Sequence, residues 1–468
     1  MLIKEQMKKI LKKKTTILCI SIVLILIYTI KQGEIVYYYD SESYWQLGRI
    51  FNEGGKFKFS NYNSSLRGYI LPLIYGIIQM IAEMVRIKAT LLFNIVHAVF
   101  MGIMISTIIP ELFEKLLSIR INNKRRFLFF MMVSFFWRGY YLYPLSDFPS
   151  LGAILLASNI LMKKEKSFLD YVLAGMAIAT SILIRPSYQV VLPVFIVVII
   201  YTLVKQHKKN MFLYLIPILL GFAIISAPQS YINYNHFNTL SPLIQTKNSF
   251  GDRSLYLQQL SWGLSVQKYE TNIGEDYPDA GVKFLDPQGE KMLINENITN
   301  LESYAQYFRL LIKYPVDAIS VYSRHLFNGL DVTYSTPYIM EFFGDRVLFS
   351  LLNYTLWFLL IALIIRSDIK KKIWDTVLYN PERLYAVSIL LTCVISIPGA
   401  VEVRFFLPMY IACYGVICYC SSFKQSVKDI KENWVLYTSF ILICFILTGS
   451  AFANLQHGAV LIMDRILN

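Results

Sequence analysis

Long apolar runs separated by short basic segments constrain this chain more than any other feature of its sequence. The chain has 468 residues, of which 55% are hydrophobic and 16% are charged, whereas about 25% of the residues in a soluble domain are charged. Several runs, such as 89–109 and 434–452, exceed the roughly 17 apolar residues that a helix needs to cross a bilayer. The sequence therefore predicts an all-α polytopic membrane protein.

The basic residues indicate which ends of the apolar runs face the cytoplasm. The formal net charge is +14, and most of the lysines and arginines lie in short segments between the runs. These segments are 1–14, 115–126, 163–166, 205–209, 366–383 and 424–431. Because cytoplasmic loops carry such an excess of lysine and arginine, we expect the N-terminus to be cytoplasmic, and we expect no nucleic-acid partner.

This charge rule also decides how the second apolar run is interpreted. If 69–85 crossed the membrane, the basic segment 115–126 would lie outside, against the rule. We therefore expect 69–85, which contains Gln79 and Glu83, to be interfacial or re-entrant. About eleven spanning helices remain, predicted over 15–30, 89–109, 127–145, 148–162, 169–184, 188–204, 211–227, 346–365, 384–400, 405–421 and 434–452.

The same pattern divides the chain into three predicted parts. Residues 1–228 form an N-terminal transmembrane module, whose first outer loop covers 31–68. Residues 229–345 are polar and rich in turn residues, and this stretch is too long for a connector, so it predicts an extracytoplasmic loop domain. Within it, 308–327 is expected to be a helix interrupted near Pro315. Residues 346–468 form the C-terminal transmembrane helices.

An acidic motif follows the first apolar run at once. Asp40 and Glu42 lie among tyrosines and Trp45, at the outer membrane boundary of the predicted topology. The aromatic residues alone are typical of an interfacial belt, but acidic residues at a bilayer tend to be functional. A helix would direct the two carboxylates apart, whereas an extended segment would direct them the same way. We expect the extended form, with Asp40 as the candidate catalytic base.

Other charged residues are predicted at the same outer face. Taken singly, each has a simple structural explanation: an arginine snorkels, Glu402 pairs with Arg404, and Asp147 caps a helix. Taken together, they suit a polyprenyl phosphate, because arginines clamp phosphate bidentately and a carboxylate accepts the proton of an attacking hydroxyl. The candidate catalytic residues are Asp40, Glu42 and Asp147, and the candidate substrate-binding residues are Arg67, Tyr69, Arg138, Arg185, Glu402 and Arg404.

The order of these motifs resembles that of the polytopic GT-C glycosyltransferases, which use polyprenyl-phosphate-linked sugars and include protein mannosyltransferases and aminoarabinose transferases. The matching segments are 40–42, 67–72, 147, 183–186 and 402–408. The resemblance implies a GT-C-like fold and an inverting glycosyltransferase of the cell membrane that acts at its extracytoplasmic face in surface glycan or glycolipid synthesis. It also implies that Asp40 is the base. In this chain the motif is Asp-Ser-Glu rather than two adjacent carboxylates, so no family role is carried over to Glu42.

Three other functions stay open, one of them a non-catalytic assembly factor for which the acidic motif would be dispensable, and a metal requirement is open as well. A surface-polysaccharide polymerase or ligase would also take lipid-linked substrates, and a flippase would carry them without chemistry. The expected partners are a polyprenyl-phosphate sugar, a glycan, lipid or protein acceptor, and membrane lipids. A divalent cation, Mg²⁺ or Mn²⁺, suits the oxygen ligands of Asp40, Glu42 and Asp147, although a hydroxyl acceptor does not demand one.

Overall fold

A computed structural model describes residues 14–207, 211–246, 254–365 and 380–456. The predicted basic segments 1–14, 205–209 and 366–383 lie partly outside these residues. Most described residues are helical. Seven described helices are long and apolar enough to cross a membrane, and they cover Lys14–Lys31, Ala89–Leu117, Pro186–Lys205, Phe212–Phe237, Val347–Ile365, Val403–Cys420 and Trp434–Ala453. Three shorter apolar helices are Ile70–Val85, Asp147–Leu161 and Phe168–Ile184.

The chain forms two compact units. The first comprises residues 1–245, 364–390 and 414–420, and the second comprises 246–363, 391–413 and 421–468. The first boundary therefore falls near 245 rather than at the predicted 228. One reason is that the helix predicted over 211–227 continues to Phe237. The C-terminal helices, predicted as one part, contribute residues to both units.

The first unit is built from ten helices in its described N-terminal part. They are α1 (Lys14–Lys31), α2 (Tyr39–Ile50), α3 (Ile70–Val85), α4 (Ala89–Ile103), α5 (Ile109–Leu117), α6 (Asn123–Trp137), α7 (Asp147–Leu161), α8 (Phe168–Ile184), α9 (Leu192–His207) and α10 (Met211–Phe237). Short 3₁₀ turns cover Phe59–Asn61, Arg138–Tyr141 and Pro186–Val191. The helix predicted over 127–145 thus ends at Trp137, and a tighter turn replaces its last part.

A π-helical turn, Met104–Ile108, joins α4 to α5 without a break. A π turn leaves backbone carbonyl groups without their usual helical donors, and side chains from other helices take those places. The Arg126 guanidinium donates to the Ser106 carbonyl oxygen at 3.1 Å, and the Asn159 amide donates to the Ile108 carbonyl oxygen at 2.8 Å. The turn is therefore satisfied by tertiary hydrogen bonds, and 89–117 remains one long element.

Ion pairs at both ends show that this long element runs antiparallel to α1. At the first end of α1, the Lys14 ammonium lies 3.6 Å from Glu111 and 3.5 Å from Glu114. Just after its last residue, Glu34 pairs with Lys88 at 2.9 Å. The basic segment that contains Arg126, which pairs with Glu114 at 3.0 Å, therefore lies at the same end as Lys14.

The shorter helix α3 has both ends beside the segment that follows α1. Its first residue comes shortly after Arg67, which pairs with Asp40, and its last residue comes shortly before Lys88, which pairs with Glu34. Inside the helix, the Gln79 amide donates to the Trp45 carbonyl oxygen at 3.0 Å. A helix with both ends at one side of a membrane does not cross it, so this geometry favours the interfacial interpretation of 69–85.

Cysteine labelling tests this topology directly. Asn63 and Lys124 are both exposed, so a cysteine at either position is open to reagent. In sealed cells, an impermeant thiol reagent should label Asn63→Cys from outside, and it should label Lys124→Cys only after the membrane is opened. External labelling of Lys124→Cys would mean that α3 spans the bilayer.

The second unit contains a mixed segment followed by long helices. Its described elements are α11 (Leu255–Ser265), β1 (Val266–Thr271), β2 (Gly281–Leu285), α12 (Pro287–Asn295), α13 (Tyr304–Lys313), α14 (Pro315–Gly329), α15 (Val347–Ile365), α16 (Leu384–Val387), α17 (Leu391–Val394), α18 (Leu407–Cys420), α19 (Phe423–Glu432) and α20 (Trp434–Ala453), of which α16 and the ends of α15 and α18 belong to the first unit. The strands β1 and β2 pair antiparallel, with a bulge between Val266 and Lys268. Because the unit contains these strands, the all-α prediction is incomplete.

The predicted helix interruption near Pro315 is confirmed, since α13 ends at Lys313 and α14 begins at Pro315.

One predicted spanning helix is wrong. The run 384–400 is broken into the short pieces α16 and α17, a 3₁₀ turn between them, and further turns. Hydroxyl side chains compete for its backbone carbonyl groups, since Ser388 donates to Tyr385 O and Ser396 donates to Thr392 O. Pro398 and the following glycine end any helical continuation. Hydrophobicity alone therefore overestimated helical continuity here.

Candidate functional site

The acidic motif lies at the start of a helix rather than in an extended segment. Asp40 and Glu42 occupy the first turn of α2. The turn is fixed by Ser41, whose hydroxyl accepts from the Tyr38 amide at 3.0 Å and donates to the Tyr38 carbonyl oxygen at 2.7 Å. Successive helix residues are about 100° apart, so the two carboxylates are directed roughly 200° apart. The expected common direction is wrong, and Glu42 is exposed.

Backbone strain marks the residue directly before Asp40. Tyr39 has φ of 45°, in the left-handed region, which costs an L-residue about 1–2 kcal/mol. Its side chain is 47% exposed, so side-chain burial does not account for this conformation. Strained residues of this kind persist where surrounding structure fixes them, and they are found often at functional sites.

Arg67 fixes the Asp40 carboxylate. Its Nη2 atom lies 2.6 Å from Asp40 Oδ1, and its guanidinium carbon lies 4.4 Å from the centre of the Tyr44 ring. Burial acts to lower the pKa of Arg67, but the neighbouring Tyr44 and Asp40 outweigh it, so that pKa is raised. The Asp40 side chain is 35% exposed. A carboxylate is therefore held in one position while a reactant can still reach it.

A second acid–arginine pair joins the ends of two helices. Asp147 is the first residue of α7, as predicted, and Arg185 directly follows α8 before the 3₁₀ turn that begins at Pro186. The Arg185 Nη1 atom contacts Asp147 Oδ1. The Asp147 side chain is only 1% exposed and that of Arg185 is 17% exposed. In this pair the arginine is the group that a ligand can reach, and the buried aspartate positions it.

A backbone contact connects the neighbourhoods of the two pairs. Gly68 follows Arg67, and Leu183 precedes Arg185 by two residues. A Cβ atom on Gly68 would lie 1.9 Å from the Leu183 carbonyl oxygen, so only glycine allows this approach. Buried side chains pack around the contact, and they include Tyr44, Tyr62, Tyr69, Leu183 and Ile184. The first unit therefore brings four predicted residues, Asp40, Arg67, Asp147 and Arg185, into one packed region.

Two other predicted residues of the first unit have different surroundings. Tyr69 is buried, and its hydroxyl donates to the Ile225 carbonyl oxygen at 2.8 Å, so it supports the segment that carries Arg67. Arg138 donates to the Phe135 carbonyl oxygen at 2.7 Å. Its 3₁₀ turn packs beside the last turn of α1, where the rings of Tyr28 and Tyr141 are 6.5 Å apart.

Glu402 and Arg404 belong to the second unit, where they pair with each other. The Arg404 Nη2 atom lies 3.1 Å from Glu402 Oε1, and its Nε atom contacts Glu402 Oε2. Both residues lie at the 3₁₀ turn that precedes α18. This ion pair is the structural role that the sequence suggests for the two residues when they are considered alone. The same two-pronged contact of a guanidinium is also the one with which arginine binds phosphate.

Two residues of the region were not singled out from the sequence. Tyr44 supports the Arg67 guanidinium, and the Gln229 side chain accepts from the Tyr69 amide at 3.3 Å. Tyr44 could have been found, because it lies four residues after Asp40 and would share its face if the motif were helical. Gln229 gave no local signal, since its contact depends on the folding of α10 against the first loop.

The candidate ligands of a divalent cation are Asp40, Glu42 and Asp147. Within the parts of the chain that the structure describes, no group of three or more His, Cys, Asp or Glu side chains is close enough to hold an ion. Asp40 and Asp147 each contact an arginine, and Glu42 is directed away from Asp40. The residues present do not fit a divalent cation well, and we derive no step through one.

Comparison with known proteins assigns no family. No protein-family model matches the sequence, and no curated protein matches it at a significant level. The two acid–arginine pairs and the order of the motifs along the chain are the features that point to a function.

Proposed function

We propose that this protein is an inverting glycosyltransferase that moves a sugar from a polyprenyl-phosphate donor to a hydroxyl acceptor at the outer membrane surface. The observation that carries the proposal is the fixed yet accessible Asp40 carboxylate, held by Arg67 at 2.6 Å directly after the first apolar helix. Such a place suits a donor whose tail stays in the bilayer while its phosphate and sugar lie at the boundary.

The reaction proceeds by one displacement at the sugar. The acceptor oxygen forms a bond to the anomeric carbon while the bond from that carbon to the phosphate oxygen breaks. The hydroxyl proton passes to the Asp40 carboxylate, and the electron pair of the broken bond leaves with the polyprenyl phosphate. General-base assistance of this kind contributes about 10²–10⁴-fold to a rate.

The arginines supply charge stabilisation for the departing phosphate. Arg185 is held by a nearly fully buried aspartate, so its guanidinium is positioned before the substrate arrives. Donors that are fixed in advance stabilise developing negative charge without reorganisation during the reaction. Arg67, which is held in the same way by Asp40, supplies a second fixed positive charge near the outer boundary.

The test is consumption of the donor by the purified protein. Reconstituted in nanodiscs, which have no enclosed compartment, the protein is given a panel of polyprenyl-phosphate sugars with hydroxyl acceptors, and released polyprenyl phosphate is measured. We expect release with at least one donor. No release with any donor, combined with movement of a labelled donor across sealed proteoliposomes, would support a flippase and overturn the proposal.

A conservative substitution, Arg67→Lys, tests the role of the Arg67 guanidinium. Arg67→Lys keeps the charge near Asp40 but loses the planar group that stacks on Tyr44, an interaction worth about 0.5–2 kcal/mol. We expect kcat/KM for the donor to fall about ten-fold, as measured by initial rates. Arg49→Lys, at an exposed position on α2, is the matched control and should be unchanged. Equal activity of both variants would contradict a specific role for the guanidinium.

A further inference from the structure

The helix pair α13–α14 exposes an unusually apolar surface for a segment expected to lie in water. Its exposed apolar side chains follow one another at helical spacing, and they are Tyr304, Phe308, Ile312, Val316, Ile319 and Leu326. Ile312 is 80% exposed and Val316 is 77% exposed, which exceeds the 68% of Ile446 on the long apolar helix α20. We call these six residues the α13–α14 apolar face. Its most exposed members are thus as open as a side chain on a helix that is long and apolar enough to span a membrane.

The opposite side of the same helices is already used for packing. Tyr307, Leu310 and Ala318 are buried in a cluster with residues of α11 and α12. The hydroxyl groups of Tyr307 and Tyr322 lie 2.6 Å apart and join the two helices. The α13–α14 apolar face is therefore separate from the side of the helix pair that packs into the core.

The end of α14 is hydrogen-bonded to an apolar helix, α15. The Leu330 carbonyl oxygen, directly after α14, accepts from Asn353 at 2.8 Å and from Trp357 at 3.0 Å. Both donors belong to α15 (Val347–Ile365), which is long and apolar enough to span a bilayer. They lie six and ten residues after its start, or about 9–15 Å along its axis at 1.5 Å per residue. In a bilayer spanned by α15, whose hydrocarbon core is about 30 Å thick, both donors would lie inside that core.

The charges beside the apolar face also suit a membrane surface. Arg309 and Lys313 are exposed on α13, and they lie on its edge next to Phe308 and Ile312. The Lys313 ammonium is held at 2.6 Å by Glu296. An apolar stripe bordered by basic residues is typical of helices that lie in the membrane interface, with the apolar side inserted roughly 5–10 Å.

We propose that the α13–α14 apolar face is inserted in the lipid of the leaflet where α15 begins. This inference goes beyond the proposed glycosyl transfer and does not depend on it. It changes the expected extracytoplasmic loop domain into a segment of which one part lies in the membrane. Continuity with α15 decides for lipid over a second protein as the occupant, because the chain directly after α14 is hydrogen-bonded to a helix that is long and apolar enough to span a bilayer.

Spin labels on the full-length protein in nanodiscs test the proposal. Cys19 is exposed and Cys420 is partly exposed, while Cys393, Cys413, Cys418 and Cys444 are buried. Cys19 and Cys420 are therefore replaced by alanine first, and this background must take up no label. Single cysteines are then introduced at surface positions, where a label does not disturb the core, and collisions with oxygen and with a water-soluble nickel chelate are measured.

Labels at Ile312→Cys and Val316→Cys should collide with oxygen and be protected from nickel, as the lipid control Ile446→Cys on α20 should be. Glu275→Cys, at an exposed position of the segment that connects β1 and β2, is the water control and should show the reverse. Nickel access at either helix position would overturn the proposal. Protection from both reagents there would also overturn it, since it would show burial against protein.

Discussion

Asp40→Asn is expected to lower turnover of the polyprenyl-phosphate donor by at least 100-fold. The amide keeps the size of the side chain and can still contact Arg67, but it does not take up the proton of the acceptor hydroxyl. General-base catalysis typically contributes 10²–10⁴-fold, and the loss should appear in kcat. Donor binding, measured separately with a non-reactive analogue, should be nearly unchanged because the arginines remain.

Glu42→Gln is the matched control for this experiment. The native Glu42 lies in the same first turn of α2 as Asp40 and carries the same charge, but its side chain is exposed and directed away from Asp40. We expect turnover of the Glu42→Gln variant to stay within a few-fold of the native protein. Native turnover of Asp40→Asn would remove the base assignment, and an equal loss in both variants would indicate a general effect of charge rather than a specific base.

Asp147→Ala should cause the largest loss of stability. The substitution leaves Arg185 largely buried without its carboxylate partner, and breaking a buried ion pair from one side costs about 3–5 kcal/mol. Thermal unfolding in detergent measures this as a lower transition temperature. The surface variant Glu53→Ala, at an exposed position, should stay within about 0.5 kcal/mol of the native protein.

The double variant Asp147→Ala with Arg185→Met separates structure from function. Removing both charges eliminates the unpaired group, and such replacements are often neutral or stabilising. We expect most of the stability to return while donor turnover stays low, because the guanidinium is gone. Recovery of both stability and turnover would show that the pair is only structural.

The sequence predicted the helical membrane character better than it predicted the local structure of the acidic motif. In α2 the buried residues Ser41, Tyr44, Trp45 and Gly48 follow helical spacing, a pattern that was visible in the letters. The spacing of the two carboxylates, taken alone, favours an extended segment instead. The error therefore came from weighing two polar residues above the period of the buried ones.

The pairing of the charges could not be predicted in the same way. Asp40 and Arg67 are 27 residues apart, and Asp147 and Arg185 are 38 residues apart. Which arginine meets which carboxylate depends on how α3 and α8 pack, and no local spacing encodes that. The broken run 384–400 is a further case, because its apolar composition hides the side-chain hydroxyls that compete with its backbone hydrogen bonds.

The π turn at Met104–Ile108 determines the direction in which the side chains of the following helix, α5, point. A π turn is equivalent to one residue inserted in an α-helix, and each residue of a helix turns the following part by about 100°. Deleting one residue there would restore a regular helix but rotate Glu111 and Glu114 away from Lys14 and Arg126. The inserted residue thus sets the rotation of α5 about the helix axis relative to α4, so that each half of the long helix directs its side chains toward its own neighbours.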